Sequence, residues 1–261
     1  MRVFAVSDIH VDYAENLNWV LDLDRTAYKD DVLILAGDIS DRMPLLEQVF
    51  RSLQESFRAV LFVPGNHELW VRDKDFSCSL DKFEAVAKLC SRCGVHTEIH
   101  EEEGVSFVPL YSWYDFSFGE PDKNLKLAWR DFHVCSWPAH MQESHKVSEY
   151  FLSLNSPRLN TKNNAVISFS HFLPRIDVMP EKIPLERRAV YPVLGSEKLG
   201  AQVKQLNPDI HVYGHSHVNQ SIELDNIRYI NNAFAYPKES RIARKKLHCI
   251  YDNTKPMNAN A

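Results

Sequence analysis

The stretch DIHVYGHSH, residues 209–217, runs from a largely apolar segment into Gly214 and then places His215 and His217 two positions apart. The segment reads as a buried strand, the glycine as a turn or close approach at its end, and the histidines as groups delivered there. Taken alone, a strand-end histidine is more often a hydrogen-bonded structural residue than a ligand, so the reading depends on partners elsewhere. Four further runs have the same character: RVFAVS (2–7), DVLILA (31–36), AVLFVP (59–64) and AVISFS (165–170). Such nearly unbroken apolar runs suit strands covered on both faces. Helical patterns over 43–56, 80–93, 141–154 and 196–206 alternate with them, which predicts an α/β fold. Strand-like runs at 95–99, 105–110, 220–224, 227–231 and 246–251 predict a second sheet or antiparallel additions.

Each of the five main runs is followed at once by polar groups. They are Asp8 and His10; Gly37, Asp38 and Asp41; Gly65, Asn66, His67 and Glu68; His171; and Gly214, His215 and His217. In open α/β sheets the carboxyl ends of the strands form the crevice where ligands bind. Asp8, Asp38 and Asn66 could each cap a helix, but capping does not explain five coincident strand ends. Seven donors emerge: Asp8, His10, Asp38, Asn66, His171, His215 and His217. A tetrahedral zinc takes four ligands, whereas seven donors that include a bridging carboxylate suit two ions about 3.5–4 Å apart. The mixture of imidazole, carboxylate and amide oxygen admits Mn, Fe or Zn.

The rest of the chain narrows the class. A length of 261 residues is enough to bury a substantial core. No Gly-, Ser- or Pro-rich linker and no internal repeat divides it, so one domain is expected over 1–261. The aromatic, loop-like stretch 111–140 reads either as a packed surface excursion or as an insertion covering the substrate. A net charge of -5 argues against an extended nucleic-acid partner, and the basic run Arg241, Arg244, Lys245 and Lys246 reads as a solvated edge. No segment suggests a membrane partner, and the apolar run Val3–Val6 is too short for a signal-peptide core. Five cysteines, an odd number, suggest reduced thiols. The Cys90–Cys93 pair stands alone, and a cytoplasmic location is expected. His96, His100, His133, His140, His145, His211 and His248 fall outside the motifs and read as structural or surface residues. The apolar runs are accounted for by the core and specify no oligomeric state.

Taken in order, Asp8-x-His10, Gly37-Asp38-x-x-Asp41, Gly65-Asn66-His67-Glu68, His171 and Gly214-His215-x-His217 resemble the calcineurin-like metallophosphoesterase superfamily, over residues 8 to 217. The resemblance implies a four-layer αββα sandwich: two mixed sheets face to face, helices outside, and a dimetal site at the C-terminal ends of the strands. It implies that Asp8, His10, Asp38 and His217 hold one ion and Asp38, Asn66, His171 and His215 the other, with Asp38 bridging. The implied chemistry is attack of a metal-bridging hydroxide on phosphorus. His67 adjoins a ligand without being counted as one, and is the expected general acid. Asp41 is the carboxylate expected to orient it, or else a first-turn helix residue. Arg42 resembles the arginine that some phosphatases of the superfamily place on phosphate. Arg175, four residues after His171, and Tyr114 are further candidates for the substrate pocket.

The expected function is therefore a metal-dependent phosphatase acting on a small phosphorylated molecule, a phosphomonoester. One alternative is a phosphodiesterase acting on a cyclic nucleotide or another diester, with a nuclease disfavoured. The other is a non-catalytic scaffold of the same fold. A scaffold would be expected to lose ligands or the acid, and Asn66, His67 and His171 are all present.

Overall fold

The computed structural model describes residues 1–72 and 75–255. Its strands are β1 (Arg2–Val6), β2 (Val32–Leu35), β3 (Ala59–Phe62), β4 (His100–Glu102), β5 (Val105–Pro109), β6 (Ala165–Phe169), β7 (Ile210–Tyr213), β8 (Gln220–Leu224), β9 (Ile227–Asn231) and β10 (His248–Asp252). Its α-helices are α1 (Ala14–Leu21), α2 (Met43–Gln54), α3 (Ser79–Cys93), α4 (Lys123–Ala128), α5 (Asp131–Val134), α6 (Ser144–Leu154) and α7 (Glu197–Leu206). One sheet has the order β10-β1-β2-β3, parallel except for β10. The other has the order β4-β5-β6-β7-β9-β8, parallel from β5 to β9 and antiparallel at both edges.

The layers follow from side-chain alternation along the strands. Val3, Ala5, Val32, Ile34 and Leu61 of the first sheet share a core with Phe107, Ile167, Phe169, Ile210 and Val212 of the second. The intervening residues Phe4, Val6, Leu33, Leu35, Val60 and Phe62 face outward against Val20 of α1, Leu46 and Phe50 of α2, and Val86 and Leu89 of α3. On the far side of the second sheet, Val108, Val166 and Tyr213 meet Leu152 of α6 and Leu199 and Val203 of α7. Each central strand is thus apolar on both faces, which is why these runs lack a period of two in the sequence. The result is the expected four-layer arrangement of two mixed sheets with flanking helices.

Two local expectations are corrected. Residues 95–99 do not form a strand: His96 makes an isolated bridge to Leu61, and the edge strand is β4, which begins at His100. Gly94, in the left-handed region at φ 76°, ends α3 immediately before this segment and spends it on the turn back to β3. The stretch 111–140 is not a plain loop, because it carries α4 and α5. Residues 232–235 cross between the sheets. Asn232 and Phe234 exchange backbone hydrogen bonds with Ser7 (3.1 and 2.8 Å), and the Ala235 N–H donates to the Asp8 carbonyl (2.8 Å). This crossing holds the end of β1 against the sheet that carries β6 and β7.

Phe107, fully buried between the sheets, tests this core. Phe107→Ala is expected to cost about 3–5 kcal/mol, read as a lower denaturant midpoint at unchanged slope.

Candidate metal centre

The seven donors stand just beyond β1 (Asp8, His10), β2 (Asp38), β3 (Asn66), β6 (His171) and β7 (His215, His217). Strands of both sheets therefore contribute. Five of these residues have left-handed backbones: Asp8 at φ 53°, His10 at 47°, Asp38 at 57°, His215 at 66° and His217 at 55°. Each such residue costs of order 1–3 kcal/mol, and their gathering at one place marks a site where geometry is held against local preference. The close approach also needs two glycines. A Cβ on Gly37 would lie 2.5 Å from His171 Nδ1, and one on Gly65 would overlap the Asp38 carboxylate and lie 2.7 Å from His171 Cε1.

The donor atoms fall into overlapping groups. Asp8, His10 and His217 form one, with His10 Nε2 3.0 Å from His217 Nε2 and His217 Nε2 3.4 Å from Asp8 Oδ1. Asp38, His171 and His215 form another, with His171 Nε2 3.0 Å from His215 Nδ1, 3.1 Å from Asn66 Oδ1 and 3.5 Å from Asp38 Oδ1. Asp38 also groups with His10 and His67, so its carboxylate lies between the two sets.

Hydrogen bonds outside the cluster decide which lone pairs point inward. His171 Nδ1 donates to the Ala36 carbonyl (2.8 Å), His215 Nε2 to the Val193 carbonyl (3.0 Å), and His217 Nδ1 to Glu239 (2.7 Å). A neutral imidazole that donates from one nitrogen offers a lone pair at the other. Asn66 donates from Nδ2 to Asp131 Oδ1 (2.9 Å), which turns its carbonyl oxygen inward. His171 Nε2, His215 Nδ1, Asn66 Oδ1 and Asp38 Oδ1 thus converge as acceptors with no hydrogen among them. That donor set fits a cation.

The electrostatics agree for His10, His171 and His215, and favour the charged form for His217. Burial, followed by neighbouring imidazoles, holds His10, His67 and His215 well below the ordinary histidine range, and burial lowers His171. Neutral imidazole is the ligating form. Burial, then the Glu68 and Asp8 carboxylates, pushes Asp38 well above the usual carboxylate range, a repulsion that bound positive charge would offset. Burial opposes charge on His217, but Asp8 and then Glu239 outweigh it and raise the imidazole to about 9.

Glu68, quoted in a motif but given no role from sequence, is fully buried. Its Oε2 accepts from the backbone N–H of Asp38 (2.9 Å) and Gly65 (2.7 Å), and its Oε1 from Ile39 (2.7 Å) and Ser40 (3.1 Å). It ties the turn after β2 to the turn after β3 and so sets the spacing of Asp38 and Asn66. Glu239 and Asp131, which fix His217 and Asn66, carry no local sequence signal because their partners lie 22 and 65 residues away.

A surface cavity of about 560 Å³ adjoins the cluster, lined by His10, Tyr13, Asp41, Arg42, His67, Trp70, Arg72, Arg130 and Tyr236 among others. His67 packs face to face on Trp70 (3.6 Å) and edge-on to His10 (4.6 Å), with its Nε2 3.7 Å from Asp38 Oδ2. Asp41 shares the cavity, but its carboxylate pairs with Arg72 Nε at 2.9 Å rather than with the His67 imidazole it was expected to orient. Arg42 lines the cavity. Arg175 does not: it pairs with Asp177 (2.6 Å) and Asp225 (2.7 Å) beside a separate cavity that contains none of the seven donors. Those acidic neighbours, one of them two residues on in the chain, capture the guanidinium. Tyr114 is buried in the layer behind the centre, where it lines another cavity of about 650 Å³ with Asp131. Arg130, Trp70, Arg72 and Tyr236 are cavity residues that no motif pointed to.

The model of the calcineurin-like phosphoesterase family matches residues 1–219, and the chain belongs to that family. Among individual proteins it is similar to the [acyl-carrier-protein] phosphodiesterase PptH of Mycobacterium tuberculosis, at 26% identity over 92% of this chain and 79% of that protein. The crystal structure of phosphopantetheinyl hydrolase PptH from the same organism covers 95% of this chain and 93% of that one, with a TM-score of 0.76 and 24% identity. The uncharacterized protein L509 of Acanthamoeba polyphaga mimivirus is 25% identical over 51% of this chain and 52% of its own length. Among the described residues no helix is long and apolar enough to cross a membrane.

Glu68→Gln places an amide against two of the four backbone donors whichever way it is turned. It is expected to cost about 3 kcal/mol or more, measured by denaturant unfolding of the chelator-treated protein. A loss below about 1 kcal/mol would show that the two turns do not depend on this carboxylate.

Proposed function

We propose that the chain is a dinuclear metal-dependent phosphodiesterase, and that its substrate is a phosphopantetheinyl diester of a carrier protein. The observation that carries this reading is the similarity to PptH along nearly the whole chain. The sequence alone favoured a small phosphomonoester; kinship with a phosphodiesterase moves the diester, the former alternative, to first place. A protein-borne ester also suits a reaction centre that adjoins a surface cavity.

In this reading Asp8, His10, Asp38 and His217 hold one cation and Asp38, Asn66, His171 and His215 the other. When bound, the two ions supply Lewis-acid charge that activates water and neutralises phosphoryl oxygens. Arg42 and Arg130, which make no ion pair among the described residues, line the cavity and would grip the phosphodiester oxygens through their planar donor forks. His67 lies between Trp70 and His10 and lines the same cavity. In this reading it gives a proton to the departing alkoxide, and negative charge on a bound ester favours its protonated form. Tyr236 stacks on His10 at 4.4 Å and lines the cavity with Trp70, restricting how the ester can lie.

The first test compares bis-p-nitrophenyl phosphate with p-nitrophenyl phosphate in the presence of Mn²⁺, with a chelator control, followed by release of phosphopantetheine from a loaded carrier protein. Diester preference and release are expected, both abolished by the chelator. A strong monoester preference would restore the small-molecule phosphatase reading. For His67→Ala, a loss of roughly 10²–10⁴-fold is expected on an alkyl ester and a much smaller loss on an aryl ester, whose leaving group needs less protonation. Equal losses on both would remove His67 from the role of acid.

A further inference from the structure

We infer that Asp131, from the segment between β5 and α6, is the positioning residue that sets both the metal-facing oxygen of Asn66 and the ring of His67. This rests on the two-ion reading above and not on the identity of the ester.

Asp131 begins α5 and is buried, 3% exposed. One of its oxygens, Oδ1, accepts from Asn66 Nδ2 at 2.9 Å and from the Trp70 indole N–H at 2.6 Å. The other, Oδ2, accepts from the Trp129 indole N–H at 2.8 Å. The Asn66 side chain has two ends that differ only in hydrogen-bonding sense. A carboxylate can only accept, so Asp131 selects the NH₂ end and leaves Oδ1 facing His171 and Asp38. The same oxygen fixes the Trp70 indole, on which the His67 ring lies at 3.6 Å and 30°. Asp41, expected from sequence to orient His67, is engaged by Arg72 instead. The stretch read as a surface excursion or a substrate-covering insertion therefore reaches inward. Trp129 stands edge-on to His215 at 5.7 Å, and Arg130, between Trp129 and Asp131, lines the cavity.

Partners that orient ligands typically account for 10–100-fold in metal affinity. The test is Mn²⁺ titration by calorimetry of chelator-stripped wild type, Asp131→Asn and Asp131→Ala, with circular dichroism to establish the fold. Asp131→Asn keeps the volume and decides the matter if Asp131→Ala does not fold. In wild type two ions should bind. In Asp131→Asn one of them should bind about 10–100-fold more weakly, while the other, held by Asp8, His10 and His217, changes less than threefold. Unchanged binding of both ions, or equal weakening of both, would overturn the positioning role, since a merely structural residue does not distinguish between them. Binding of a single ion by wild type would instead overturn the two-ion reading itself.

Discussion

Four acceptor atoms, His171 Nε2, His215 Nδ1, Asn66 Oδ1 and Asp38 Oδ1, face one another in a buried space without a hydrogen between them. Buried acceptors that lack donors are costly; of the four only Asp38 Oδ1 has one, the His67 backbone N–H, and a cation among them would offset that cost. Every one of these atoms is aimed from outside: by the Ala36 and Val193 carbonyls on the two imidazoles, by Asp131 on the amide, and by the backbone N–H of His67, 3.0 Å from Asp38 Oδ1. The centre is thus a property of its surroundings as much as of its ligands, as metal sites generally are.

Holding the ligands there works against local preference. Five of the candidate donors sit at positive φ, and Gly37 and Gly65 leave no room for a Cβ beside His171. The opposing force is the four-layer core together with Glu68, whose single carboxylate gathers four backbone donors from two turns. Strain of this kind persists only where the surroundings over-determine the backbone. Here the determining frame is a pair of sheets clamped by the crossing at 232–235.

Family membership accounts for phosphoric ester chemistry but not for the ester. In the proposed reading that choice belongs to the cavity lining, where Arg42 comes from the turn before α2, Arg130 from the segment between β5 and α6, and Tyr236 from the chain after β9. Three distant parts of the sequence meet around one opening, so substrate preference can change through the rim while the metal ligands stay constant. The proposed diester therefore rests on kinship with PptH, and the proposed chemistry on the centre beneath.

The sequence by itself determined the parts that are local in the chain. An apolar run buried on both faces, followed within two or three residues by Asp, Asn or His, makes both the strand and the donor legible, because a strand delivers whatever follows it to its own end. The five blocks, the α/β class and the candidate donor types could be read in this way. Only the tertiary structure decided which nitrogen of each imidazole faces inward, which end of Asn66 does so, that Arg72 takes Asp41, that Arg175 points away, and that Asp131 and Glu239 stand behind the ligands. The physical reason is that a hydrogen bond's orientation depends on where its partner lies in space. Asp131 lies 65 residues from Asn66 along the chain, a separation at which composition, spacing and periodicity carry no information about contact.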